Sequence, residues 1–139
     1  MKTSLGAKLI VVPVVILGAS LFAAGCGSDD KPEFCSDVSA LQDSVDELTN
    51  IQLESGVLTK LESDLQTVET NAKAVDSSAK QDFPSETSAL DSSVSKLANS
   101  IQKLPESPST QQLVALAPQI SAVGDAWNEF SDATESACD

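Results

Sequence analysis

From Phe34 to Ala137 the apolar residues recur at three- and four-residue intervals almost without interruption, and this periodicity confines the chain to amphipathic helices. Four stripes are legible. Phe34, Val38, Leu41, Val45 and Leu48 form the first, and Leu58, Leu61, Leu65, Val68, Ala72, Val75 and Ala79 the second. Phe83, Thr87, Leu90, Val94, Leu97, Ile101 and Leu104 form the third. Leu113, Leu116, Ile120, Val123, Trp127, Phe130, Thr134 and Ala137 form the fourth. No stretch alternates β-branched residues with a period of two, so strands are not expected.

The breaks between stripes carry helix punctuation. Asn50 to Gly56 separates the first two, and Pro84 stands at a first helical position, where its missing N–H costs nothing. Leu104-Pro105-Glu106-Ser107-Pro108 cannot continue a helix. Ser109 and Gln112 are spaced as a capping box for the next one. Pro118 falls inside the fourth stripe and predicts a kink or a division there. Short connections between four helices make successive helices antiparallel. The expected fold class is therefore all-α, an antiparallel up-down-up-down four-helix bundle over residues 34–139.

The first and third stretches match at an offset of 49 residues, Phe34, Leu41, Ser44 and Asn50 against Phe83, Leu90, Ser93 and Asn99 among others. Heptad spacing alone aligns the Leu and Val, and the second and fourth stretches do not align. The match reads as coincidence ahead of duplication.

Residues 1–25 have the three parts of a secretory signal. Lys2 and Lys8 make a basic start, Leu9 to Leu17 is apolar, and small residues precede Cys26. The apolar run to Ala24 is short of the roughly 20 residues of a stable membrane span. Leu21-Phe22-Ala23-Ala24-Gly25-Cys26 resembles a bacterial lipoprotein signal, with Ala23 where that family most often has Leu. The resemblance implies a diacylglyceryl group on the Cys26 thiol and cleavage just before it. Two acyl chains hold a protein to a membrane far more firmly than one. Gly27 to Glu33 then reads as a short tether, so residues 26–33 join the lipidated cysteine to the bundle.

Three cysteines in an exported chain leave one odd unless Cys26 is modified. Cys35 and Cys138 then remain, either as free thiols or as a disulfide, and an oxidising compartment favours the disulfide. Topology agrees. In an up-down-up-down bundle the start of the first helix and the end of the fourth lie at the same end, where these two cysteines fall. Phe34, Phe83, Trp127 and Phe130, the four aromatics after residue 25, fall at that end too. They read first as packing, large rings beside small Ala72, Ala79, Thr134 and Ala137. The second reading is an apolar pocket for a lipid or small hydrophobic ligand. A cavity of several hundred Å³ would favour the pocket, whereas a filled core with exposed apolar helix faces would favour a scaffold.

Composition narrows the chemistry. The chain has no His, no Tyr and no Arg, which removes the usual acid/base, the commonest metal ligand and the bidentate anion clamp. Without Lys2 and Lys8 it carries 6 Lys against 21 acids, a formal charge of −15, and such a surface repels nucleic acid. Asp29-Asp30 and Asp43-x-x-Asp46-Glu47 lack the spaced loop of a calcium site, so the acids read as solvated helix faces. Lys60, Lys73, Lys80, Lys96 and Lys103 read as scattered surface charges. No metal site, cofactor or catalytic constellation is expected, and an enzyme is disfavoured.

Taken whole, leader, tether, Ala/Ser/Asp/Val-rich helices and terminal cysteines resemble the small exported lipoproteins of actinobacteria, mycobacterial types included. The resemblance implies attachment to the outer face of the bacterial cytoplasmic membrane. Two roles follow as expectations: a non-enzymatic envelope protein that binds or scaffolds another protein, and a lipid or hydrophobic-ligand binder using the aromatic end.

Overall fold

A computed structural model describes residues 31–139. Its elements are α1 (Phe34–Thr49), α2 (Leu58–Ala79), α3 (Pro84–Ile101), α4 (Thr110–Val114) and α5 (Ala117–Cys138). The described residues contain no strand. α1 packs on α2 and α5, and α3 packs on the same two helices, so the four long helices form a closed ring of neighbours. This is the antiparallel four-helix bundle that the four stripes and short connections dictate.

Every stripe turns inward. Leu41, Leu48, Leu61, Val68, Val75, Leu97, Leu113, Val123 and Phe130 are fully buried. Leu58, Phe83, Leu104 and Ala137, at stripe ends, are half-buried against the same core. Burial of these side chains at about 25 cal/mol per Å² drives the helices together, because a solitary helix of this length is marginal in water.

The punctuation works as expected. Pro84 opens α3. The Ser109 backbone N–H donates to Gln112 Oε1 at 2.9 Å, and the Gln112 N–H donates to Ser109 Oγ at 3.3 Å, a reciprocal capping box at the start of α4. Gly56 sits at φ +89° in the α1–α2 connection, a left-handed conformation that glycine adopts without steric cost. The fourth stretch is divided: α4 stops at Val114 and α5 begins at Ala117, with Pro118 in its first turn. A proline there cannot donate to the preceding turn, so the break falls just upstream of it.

Candidate functional site

Covalent structure comes first. Cys35, in the first turn of α1, and Cys138, the last residue of α5, form a disulfide with Cα atoms 5.5 Å apart. The expected pairing is thus present, and it closes the bundle where its first and last helices meet. Cys26 and the rest of the leader and tether up to Asp30 lie outside the described residues. Among the described residues no helix is long and apolar enough to cross a membrane.

The aromatic residues converge at the same end. Phe34 meets Phe83 edge to face at 5.7 Å between centroids, Phe83 meets Phe130 at 6.2 Å, and Phe130 meets Trp127 at 6.0 Å. Phe34 and Trp127 are 5% and 6% exposed and Phe130 is fully enclosed. The rings fill the space between them, the two pairs that include Phe83 edge to face as aromatic quadrupoles prefer and the Trp127–Phe130 pair tilted at 42°. Exposed apolar surface is equally scarce: Val114, at 51% exposure, is the large apolar residue that stands out among the described residues. Among the described residues the rings thus pack on one another, and no apolar helix face stands exposed.

Two polar features depart from the sequence reading. Asp64 belongs to no solvated face; it is 8% exposed, and Lys60 donates to its Oδ2 at 2.6 Å, one turn back on α2. That hydrogen bond, ahead of the partial loss of hydration opposing it, raises the Lys60 pKa above its ordinary 10.5. Lys80 pairs with Asp76 in the same i,i+4 spacing at 3.3 Å. Asn71 of α2 reaches across to α1, where its amide donates to Ala40 O at 3.0 Å and to Ser44 Oγ at 3.1 Å. Ser44, 4% exposed, donates its own hydroxyl hydrogen bond to Leu41 O at 2.9 Å. Among the described residues no group of three His, Cys, Asp or Glu side chains is placed to hold a metal ion.

A concave surface lies between α3 and α5. A recess of about 330 Å³ is lined by Ala89, Ser92, Ser93, Lys96, Gln119 and Ala122. It continues into a second of about 440 Å³, which shares Lys96 and Gln119 and adds Asn99, Ser100 and Lys103. Small side chains on both helices leave this space open. Neither recess is lined by a carboxylate. By contrast, the recess by the α1–α2 connection carries Glu47 and Glu54, and the one between α2 and α3 carries Glu62 and Glu69. Gln119 Oε1 is closed off from solvent and accepts no hydrogen bond. Lys96 and Lys103 are thus not merely scattered charges: they share one groove. Periodicity could not reveal it, because a groove depends on how far apart two helices stand. No protein family matches the chain, and no curated protein or solved structure matches it significantly.

Proposed function

We propose that the protein is a non-enzymatic lipoprotein of the bacterial envelope, anchored at the outer face of the cytoplasmic membrane through Cys26, whose bundle serves as a protein-interaction module. The observation that carries this reading is the Cys35–Cys138 bond. With those two cysteines joined, Cys26 is the one cysteine of three without an intramolecular partner, and it stands where the lipobox puts its acceptor. A disulfide also fits an exported domain, since reducing cytoplasm does not sustain one.

Among the described residues the bundle lacks the exposed apolar helix faces of an apolar scaffold, so the module would meet its partner through polar and charged groups. Its rings are packed inside, and its surface is acidic and poor in exposed large apolar side chains. Seven residues, Gly27 to Glu33, span at most about 25 Å, so the anchor would hold the disulfide and aromatic end toward the bilayer. An acidic bundle lying flat on an anionic surface would be repelled within a Debye length of about 8 Å, which favours an upright posture. The α1–α2 connection and residues 104–109 would then point outward.

Replacing Cys26 with Ala tests the anchor in the bacterial host. The variant is expected in the medium or retained uncleaved. A cleaved variant that stays in the membrane fraction would overturn the reading.

A further inference from the structure

We propose that the α3–α5 groove docks an acidic peptide segment of a partner protein, with Lys96 and Lys103 receiving its carboxylates and Gln119 its main chain. The inference rests on the protein-interaction reading above and names the surface and the chemistry of the partner.

Charge placement is the first argument. Residues 31–139 hold 19 acids against 6 lysines, yet the groove gathers two lysines and no carboxylate. Among the described residues neither Lys96 nor Lys103 makes a salt bridge, so both can take a carboxylate from outside; Lys31 and Lys73 are likewise unbridged but line neither recess. At physiological ionic strength the Debye length is about 8 Å, so a carboxylate seated in the groove feels these two cations more strongly than the distant acids.

Hydrogen-bonding capacity is the second. The Gln119 side chain lines both recesses, and its Oε1 lacks a donor. A buried acceptor left unpaired is unfavourable, so an incoming donor gains by meeting it. Turning the amide toward the groove would offer Oε1 to an N–H on an incoming ligand. A bare anion supplies carboxylate oxygens for the lysines but no donor for Gln119. A peptide supplies both. Ser92, Ser93, Asn99 and Ser100 add hydroxyl and amide partners for its backbone.

Position is the third. Lys103 follows the last residue of α3, whose first residue lies at the disulfide end. Eighteen helical residues at 1.5 Å each put it about 27 Å from that end. In the upright posture the cations stand beyond the reach of lipid headgroups and within reach of a protein. Lys96 and Lys103 are seven residues apart, about 10 Å along the helix axis. A polyproline II peptide, with three residues per turn and about 3.1 Å per residue, covers that distance in about three residues and keeps i and i+3 on one face, so acids at that spacing fit.

The test is a titration of the 15N-labelled full chain, in non-ionic detergent, with acetyl-Ala-Glu-Ala-Ala-Glu-Ala-amide. Amide shifts are expected at Ala89, Ser92, Lys96, Gln119 and Ala122. The double variant K96A/K103A should weaken binding at least tenfold, and K31A/K73A by less than twofold. Q119E, which adds a carboxylate between the lysines, should abolish binding with helix content unchanged. Shifts located elsewhere, equal losses in both lysine pairs, or equal binding of the Gln-for-Glu peptide would overturn the proposal. Equal shifts with acetate alone would reduce the groove to an anion site and overturn it. Competition by phosphatidylglycerol added as mixed micelles with the same detergent would assign it to lipid headgroups and overturn the proposal. Because Cys26 plays no part in the titration, a failed anchor and a failed groove give separate results.

Discussion

Cys35 and Cys138 stand 103 residues apart in sequence and 5.5 Å apart between Cα atoms, so one bond fastens the first turn of the bundle to its last. Closing so long a loop is worth about 4–5 kcal/mol in the chain-entropy account. Reduction, or the C35S/C138S double variant, should lower Tm by at least about 10 °C, while far-UV circular dichroism at 25 °C stays helical. An unchanged Tm would mean that packing of α1 on α5 already holds the ends.

At the aromatic end, Phe130 touches both Phe83 and Trp127 and is fully enclosed. Phe130→Ala should cost about 3–5 kcal/mol, the usual range for a phenylalanine removed from a well-packed core. Phe83→Ala should cost less, because Phe83 is only half-buried. Denaturant titration of both variants checks the order.

Asn71 links α2 to α1 through Ala40 O and Ser44 Oγ. Asn71→Ala should destabilise by about 1–3 kcal/mol, because Ser44 is left with fewer partners in a buried setting. The double variant N71A/S44A should recover part of that loss. Additive costs would contradict the coupling.

These cases also mark where the sequence was legible. The 3-4 spacing assigned Leu41, Val68, Leu97 and Val123 to the core correctly, because helical period and burial are the same geometric fact. Ser109 with Gln112, Pro84, and the Cys35/Cys138 pair were legible too, since each acts locally or follows from topology. Asp64, Ser44 and Asn71 were not. A polar residue on an inward face looks like any other until its partner's position is known, and Asn71's partners lie 27 and 31 residues away. The α3–α5 groove was hidden for a related reason: Ala89, Ser92 and Ala122 declare only that they are small.

Gly124 shows a close approach of α5 to α1. A Cβ there would stand 3.3 Å from Thr49 Cγ2, while Thr49 Oγ1 is held to Val45 O at 2.9 Å. Gly124→Ala gains about 1 kcal/mol of helix propensity and loses much of it to the tight contact. The single variant should fall within about 0.5 kcal/mol of wild type, and G124A/T49S should be more stable than either single variant. Strict additivity would show that the contact costs nothing.

Lys60 and Asp64 give a pH signature. The folded Lys60 pKa is raised above 10.5, so the pair's contribution is fully present below that value and is lost as pH rises through the folded value. Thermal melts of wild type and Asp64→Asn should therefore converge above pH 10.5 from an offset that is constant between neutrality and that value. A constant offset across the whole range would contradict the pairing.

Orientation can be read with spin labels at Ser107 and Ser136 on the anchored protein. Ser136 lies beside Cys138, and Ser107 lies in the connection between α3 and α4. Membrane-borne relaxation agents should act more strongly at Ser136. The opposite order would invert the proposed posture.

The proposed anchor on Cys26 is decided by the intact mass of the protein extracted from host membranes. The expected mass is that of a chain beginning at Cys26, with a diacylglyceryl group on its sulfur and two fewer hydrogens for the Cys35–Cys138 bond. A chain that begins elsewhere, or one whose Cys26 thiol is free to react with iodoacetamide, would contradict it.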